Sequence, residues 1–442
     1  MTLLRVIITV VLINSFYITC NEISRICEND CECRQNLVQC RIPSYRLPFY
    51  CNSEWKSLLL FIQKTSEYHP RGFFEEVSGT ILYNCSDLHY LTLLNNSPIS
   101  LVIDLAHQLR SFKLLTRIWL KGIRIVISQD EAMQNNLTSL IFENTNLNQN
   151  LLRSVLTTVN NETLAKLQII GSDLNDELDS KAFNRNFGNL EKVYLINGKV
   201  NRVNSNTFRG CQNISILKIS DNALSGSLEH ALGIKLSRKT VEHGALMFLA
   251  NLKFLDLSGN FLIGIRSSEW SVVIGGGHLA RLKSLSLANN MIRFLATESF
   301  IGLKSLETID LRGNEVISSP REISHSGSVL LQKGLLPDVF QQIGRSFKNL
   351  MIDNGTIECL LQPTSHSVHY MRSYRLCSER NVSSPPEIRA PEIGEPTHEE
   401  KHFEYLSRIL LFCLIVGCFF ISSTMILISI VIIIKRKKFF IV

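Results

Sequence analysis

The 442-residue sequence carries none of the short motifs that announce a catalytic centre. It has no G-x-S-x-G nucleophile elbow, no H-E-x-x-H pair, no P-loop and no G-x-G-x-x-G turn. Gly275, Gly276 and Gly277 form a run, but without Lys or Ser at phosphate-binding spacing they mark a loop. His398 and His402 stand four apart with no third ligand nearby, so no metal site is expected. These absences point away from an enzyme and from any cofactor. Excess charge is scarce as well. The 46 Lys and Arg outnumber the 39 Asp and Glu by +7, and Arg5, Lys435, Arg436, Lys437 and Lys438 supply five of those charges at the chain ends. A middle left at +2 lacks the clustered basic face that phosphates demand, which excludes a nucleic-acid partner. Charged residues are only 19% against 45% apolar, so the chain has enough material for a core and is not disordered.

What is present at the two ends predicts the compartment. Met1 to Cys20 has one positive charge, an apolar run from Val6 to Ile13 and then a more polar stretch, the layout of a secretory signal over 1–20. Ile409 to Ile434 is a 26-residue run without charge. At a rise of about 1.5 Å per residue it is long enough to cross a hydrocarbon core of about 30 Å with tilt. Four cations follow it and acidic residues from Glu387 to Glu404 precede it, so the positive-inside rule places 435–442 in the cytoplasm. The expectation is a single-pass type I plasma-membrane protein, N-terminus outside, anchored in the bilayer by one helix over 409–434. Its eight-residue tail leaves no room for a signalling domain, so any signal would pass through a membrane co-receptor. Pro385, Pro386, Pro391 and Pro396, set among many charges, make 381–408 a stalk.

The middle is repetitive. The template L-x-x-L-x-L-x-x-N-x-L fits Ile214, Leu217, Ile219, Asn222, Leu224, and again Leu252, Leu255, Leu257, Asn260, Leu262. It also fits Leu282, Leu285, Leu287, Asn290, Ile292, and Leu306, Ile309, Leu311, Asn314, Val316. Weaker copies begin at Leu137, Leu164 and Leu190, where Thr145, Ser172 and Gly198 replace the asparagine. Another begins at Leu88, with Asn96 in the asparagine slot, and a last one at Phe347. First positions from Leu137 to Leu306 step by 27, 26, 24, 38, 30 and 24, and the long step locates an insertion near 223–251. The x-L-x-L-x segment reads as a short strand with its leucines turned inward. The asparagine supplies hydrogen bonds that a buried turn otherwise lacks. Gly198 has no side chain to do so, and its turn is expected to be looser. Units that shelter their apolar edges only against each other stack into a solenoid.

On these repeats, and on the spacing C-x3-C-x-C-x6-C of Cys27, Cys31, Cys33 and Cys40, the chain resembles extracellular leucine-rich repeat proteins from Cys27 to about Cys377. The resemblance implies an α/β solenoid, a horseshoe with a parallel β-sheet on its concave face, capped over 21–51, with about 8–10 repeats over 52–358 and a second cap over 359–380. It also implies the pairs Cys27–Cys33 and Cys31–Cys40, where spacing alone allows three connectivities. Cys359 and Cys377 form a candidate pair, although the fuller four-cysteine cap is absent. Of Cys51, Cys85 and Cys211, Cys51 with Cys85 is the expected bridge, and the odd thiol stays free or reaches another chain.

Sequons at Asn84, Asn95, Asn136, Asn161, Asn213, Asn354 and Asn381 all precede the apolar run and are candidate glycosylation sites. Reading the outward strand positions brings Lys166, Lys192, Tyr194, Lys218 and Phe254 together on the concave face. Basic and aromatic residues there suit a protein or other macromolecular ligand with an acidic edge. The expected function is a cell-surface receptor, co-receptor or adhesion protein. The resemblance extends to Toll-like receptor ectodomains, without their intracellular domain. The alternative is a structural or matrix-organising membrane protein that self-associates through its convex side or the odd cysteine.

Overall fold

In a computed structural model, the described residues lie between Cys31 and Cys359, apart from internal stretches of which 64–75 and 267–278 are the longest. The signal segment, Cys27, Cys377, Asn381, the stalk, the apolar run and the tail lie outside the described residues. The chain divides into two compact units, Met1–Glu322 with Leu330–Glu387, and Ile323–Val329 with Ile388–Val442. In the second, only Ile323 and Val329 are described, both in strands.

The centre of the first unit is a 13-stranded sheet whose strands follow one another in chain order. The strands are β1 (Cys31–Arg34), β2 (Leu37–Pro43), β3 (Ser57–Gln63), β4 (Tyr90–Asn95), β5 (Arg117–Lys121), β6 (Ser139–Glu143) and β7 (Lys166–Ile170). They continue as β8 (Lys192–Ile196), β9 (Ile216–Lys218), β10 (Phe254–Asp256), β11 (Ser284–Ser286), β12 (Thr308–Asp310) and β13 (Asn349–Met351). β1 runs antiparallel to β2, and every later neighbour is parallel. The period-2 alternation of each strand sends one set of side chains into the core. Leu140, Leu167, Val193, Leu217, Leu255, Leu285 and Ile309 align in one buried row. Each such side chain removes enough apolar surface to favour the stack by about 1.5–3 kcal/mol.

The turns after the strands obey a rule that the leucine template leaves out. The residue just before each slot has a left-handed backbone: Asn144, Gly171, Asn197, Asp221, Gly259, Asn289 and Gly313 have φ between 51° and 68°. Only Gly, Asn and Asp adopt that conformation at small cost. Gly122 (φ 64°) does the same after β5, and a Cβ there would stand 2.5 Å from the Asn95 carbonyl oxygen. Behind these turns the slot asparagines form a ladder. Asn260 Nδ2 donates to the Ile219 carbonyl at 2.8 Å, and its Oδ1 accepts from Leu224 N at 3.1 Å. Asn290 and Asn314 repeat the scheme one and two units on. In each case the asparagine serves the preceding repeat.

That direction corrects the expectation for Gly198. Asn222 Oδ1 accepts from Gly198 N at 2.8 Å and Val200 N at 3.2 Å, while its Nδ2 donates to Leu195 O at 2.8 Å, so the turn is tied. The Gly198 carbonyl accepts from Leu174 N at 3.0 Å and stands in for the missing amide. Thr145 and Ser172 extend the ladder with hydroxyls 3.0 Å apart. In the earlier repeat, the buried asparagine is Asn95, donating to Gly122 O at 3.1 Å, and Asn96 is exposed. The Asn95 amide, a candidate glycan site, is held in the packed turn.

A second ladder lies where the chain enters each strand. Asn136, Asn189, Asn213 and Asn251 each precede a leading apolar residue. They donate to the carbonyls of Lys113, Glu162, Gly188 and Gln212 respectively. Two helices fill connections: α1 (Leu105–Ser111), capped by Asp104, and α2 (Gln149–Thr158), capped by Asn148. The 223–251 insertion holds a short strand at Ser225–Ser227, the single turn α3 (Leu228–Ala231) and an antiparallel pair, Leu236–Ser237 with Thr240–Val241.

Cys31 bonds Cys40 across β1 and β2, and Cys51 bonds Cys85 beside the short pair Phe49–Tyr50 and Leu82–Tyr83. Cys359 is also disulfide-bonded. Cys211 is free and buried, and burial pushes its thiol up to about 12. A thiol inside the core cannot bridge to another chain, so Cys211 is not a covalent link between copies.

Candidate functional site

The outward positions of β4–β10 form two rows. The first runs Tyr90, Arg117, Ser139, Lys166, Lys192, Ile216, Phe254, and the second runs Thr92, Trp119, Ile141, Gln168, Tyr194, Lys218, Asp256. Neighbours in a row stand one strand apart, about 4.8 Å. The structure brings Lys166 and Lys192 side by side and sets Lys166 Nζ 5.4 Å from the centre of the Tyr194 ring. Lys218 lies opposite Tyr194 but is bonded to Asp256 at 2.9 Å. Phe254, 46% exposed, stands two strands beyond Lys192 and is separate from the lysine pair.

Sequence reasoning missed the residues on the other flank. β5 brings Arg117 into the first row, its guanidinium 5.5 Å from the centre of the Tyr90 ring, and Tyr90 is 46% exposed. The signal for β5 was spacing: Leu88 and Leu137 stand 49 positions apart, twice the usual step, which leaves room for one more unit. Burial and the adjacent Arg117 and Lys192 charges hold the Lys166 ammonium below the ordinary lysine value.

Other charges of the face are paired. Lys121 meets Glu143 at 2.7 Å, Lys218 meets Asp256, and Arg312 meets Asp310 at 2.7 Å. Elsewhere, at the strand-entry edge, a polar groove of about 290 Å³ is lined by Asn189, Glu191, Asn213, Asn251, Lys253 and Arg281 among others. Among the described residues no three His, Cys, Asp or Glu side chains converge as metal ligands would. No helix among them is long and apolar enough to cross a membrane.

Residues 276–316 match the leucine rich repeat family. With the parallel sheet and the repeated turns, that match settles the architecture. The fold is a leucine-rich repeat solenoid. No curated protein matches the chain by sequence. Among solved structures, a chain of the Toll–Spatzle complex of Drosophila is similar at 12% identity and a TM-score of 0.42, covering 71% of this chain and 41% of that one. A chain of the octameric complex of Latrophilin 3, Unc5D and FLRT2 is similar at 17% identity and a TM-score of 0.39, with coverages of 77% and 86%. A chain of the TLR13–ssRNA13 complex gives 17% identity, a TM-score of 0.38 and coverages of 72% and 48%. This repeat protein therefore spans less than half of the Toll-complex and TLR13 chains.

Proposed function

We propose that this leucine-rich repeat chain is an extracellular binding protein, a receptor, co-receptor or adhesion molecule anchored through 409–434. It holds a protein ligand on the outward face of the sheet. The observation that carries the reading is the make-up of that face. Tyr90 and Phe254 are each 46% exposed, and Arg117, Lys166, Lys192 and Tyr194 lie between them. Such aromatic and cationic side chains dominate protein interfaces, where burying a ring adds area and a cation adds orientation. Nothing in the fold needs them there, because the core rows and the two asparagine ladders hold the stack from behind.

The disulfides Cys31–Cys40 and Cys51–Cys85 support an oxidising compartment. The test is a screen of cells displaying the full chain against a library of secreted and cell-surface proteins. A captured protein whose binding is lost in Tyr90→Ala and Phe254→Ala supports the reading. Capture of no protein, or capture indifferent to both variants, refutes it.

A further inference from the structure

The outward face contains a set of donors with no acceptor. Arg117, Lys166 and Lys192 have no acidic partner among the described residues, whereas Lys121, Lys218 and Arg312 on the same face each have one. Ser139 sits in the first row with Arg117 on one side and Lys166 on the other. An outward serine is ordinarily wet, yet Ser139 is only 6% exposed, and its hydroxyl has no hydrogen-bond partner. The buried indole N–H of Trp119, in the second row of the adjacent strand, also has none. Two rings face the cations from the side: Tyr90 against Arg117 and Tyr194 against Lys166. Cation–π contact restrains a side chain without neutralising it, so the charges are held in place and remain unsatisfied.

We propose that Arg117, Ser139 and Lys166, flanked by Trp119 and Lys192, form an oxyanion site that receives an acidic side chain of a protein partner. The assignment rests on the reading of this face as the ligand-binding surface and narrows it to β5–β8. The chemistry is complementary: a guanidinium, a hydroxyl, an indole N–H and two ammoniums all donate, and a carboxylate only accepts. Lys218 falls outside the site, because Asp256 already satisfies it.

The experiment uses the full chain in detergent micelles and a fluorescein-labelled octaglutamate peptide, followed by anisotropy. The expected result is binding that weakens with salt and falls about tenfold in each of Arg117→Gln and Lys166→Gln. Ser139→Ala should weaken it several-fold, while Lys166→Arg retains it. Lys218→Gln and Lys283→Gln, which remove paired cations, should stay within about twofold. Unchanged melting of every variant excludes a folding explanation, and saturation with the peptide should move the Lys166 titration upward by NMR. Equal losses in the control and site variants would overturn the proposal, as would absence of binding. Binding of a heparin dodecasaccharide but not octaglutamate would overturn the acidic-protein occupant. In the cell-surface screen, a captured protein sensitive to Tyr90→Ala but not to Arg117→Gln sinks this site alone, whereas capture of nothing sinks the broader reading.

Discussion

Replacing one slot asparagine by alanine tests how the solenoid is held together. Asn260 is 3% exposed, and its Nδ2 lies within 2.8 Å of Ile219 O, 2.9 Å of Leu257 O and 3.1 Å of Ser258 O. Its Oδ1 accepts from Leu224 N at 3.1 Å. Asn260→Ala would strand the Leu224 N–H and weaken the partnering of the Ile219 carbonyl, both in the repeat before. At about 1–3 kcal/mol for each buried group left without a partner, the loss is about 2–6 kcal/mol. That is a large share of the roughly 5–15 kcal/mol that holds a folded domain.

Urea unfolding followed by circular dichroism measures the total, and hydrogen exchange locates it. The Leu224 amide should lose protection while amides near Leu140 keep theirs, because the ladder acts on the adjacent unit. Asn260→Ser should fall between wild type and alanine, since Thr145 and Ser172 show that hydroxyls extend the ladder. Asn96→Ala is the matched control: it occupies the same template slot but is exposed, and should change stability by less than about 0.5 kcal/mol. A cost for Asn260→Ala below about 1 kcal/mol, or no greater than that of Asn96→Ala, would refute the ladder as a structural support.

Cys211 should resist iodoacetamide in the folded chain and react on unfolding, which mass spectrometry of the alkylated peptide reads directly. Its pKa is raised from 9.0 to about 12, so between those values the unfolded state releases a proton that the folded state keeps. Stability is therefore full below pH 9 and declines as pH rises through that window, and Cys211→Ala should flatten the decline. Gly122→Ala should cost about 2–3 kcal/mol in urea unfolding, since the left-handed backbone alone costs about 1–2 kcal/mol and the new Cβ meets a carbonyl that cannot swing away. Glycopeptide mapping of secreted material should find Asn84 modified and Asn95 unmodified, because Asn84 is exposed and Asn95 is buried with its amide bonded. A glycan on Asn95 would show that this turn opens before the chain is modified.

The apolar rows were legible because burying a stacked unit forces a fixed spacing on its leucines, and four asparagine slots came with them. The strands β2, β3 and β5 were not, for a physical reason. Their core positions (Val38, Cys40 and Ile42; Leu58, Leu60 and Ile62; Ile118 and Leu120) are buried like the rest, but no asparagine marks their turns. A turn needs donors and acceptors rather than a particular residue, and backbone or hydroxyl groups supply them equally well. The candidate site was half legible. Parity placed Lys166, Lys192 and Tyr194 on the outward face, but whether a cation is neutralised depends on register between strands. Lys218 and Asp256 are 38 positions apart and touch only because β9 pairs with β10. Nothing local in the sequence around Ser139 announces that its neighbours bury it.

The two asparagine ladders bear on function because of where they stand. One closes turns after the strands and the other ties entries before them, so in the repeats that carry these asparagines backbone carbonyls near the strand ends are partnered from within the stack. The apolar rows complete the support from behind. The exposed outward side chains of the same strands, Tyr90 and Phe254 among them, then contribute little to stability, and substitutions there exchange one solvated group for another. Stability and recognition are carried by different atoms of the same short strands. A donor left unpaired on such a face has no structural reason to be there, and for that reason Arg117, Ser139 and Lys166 say more about a partner than the leucines beneath them.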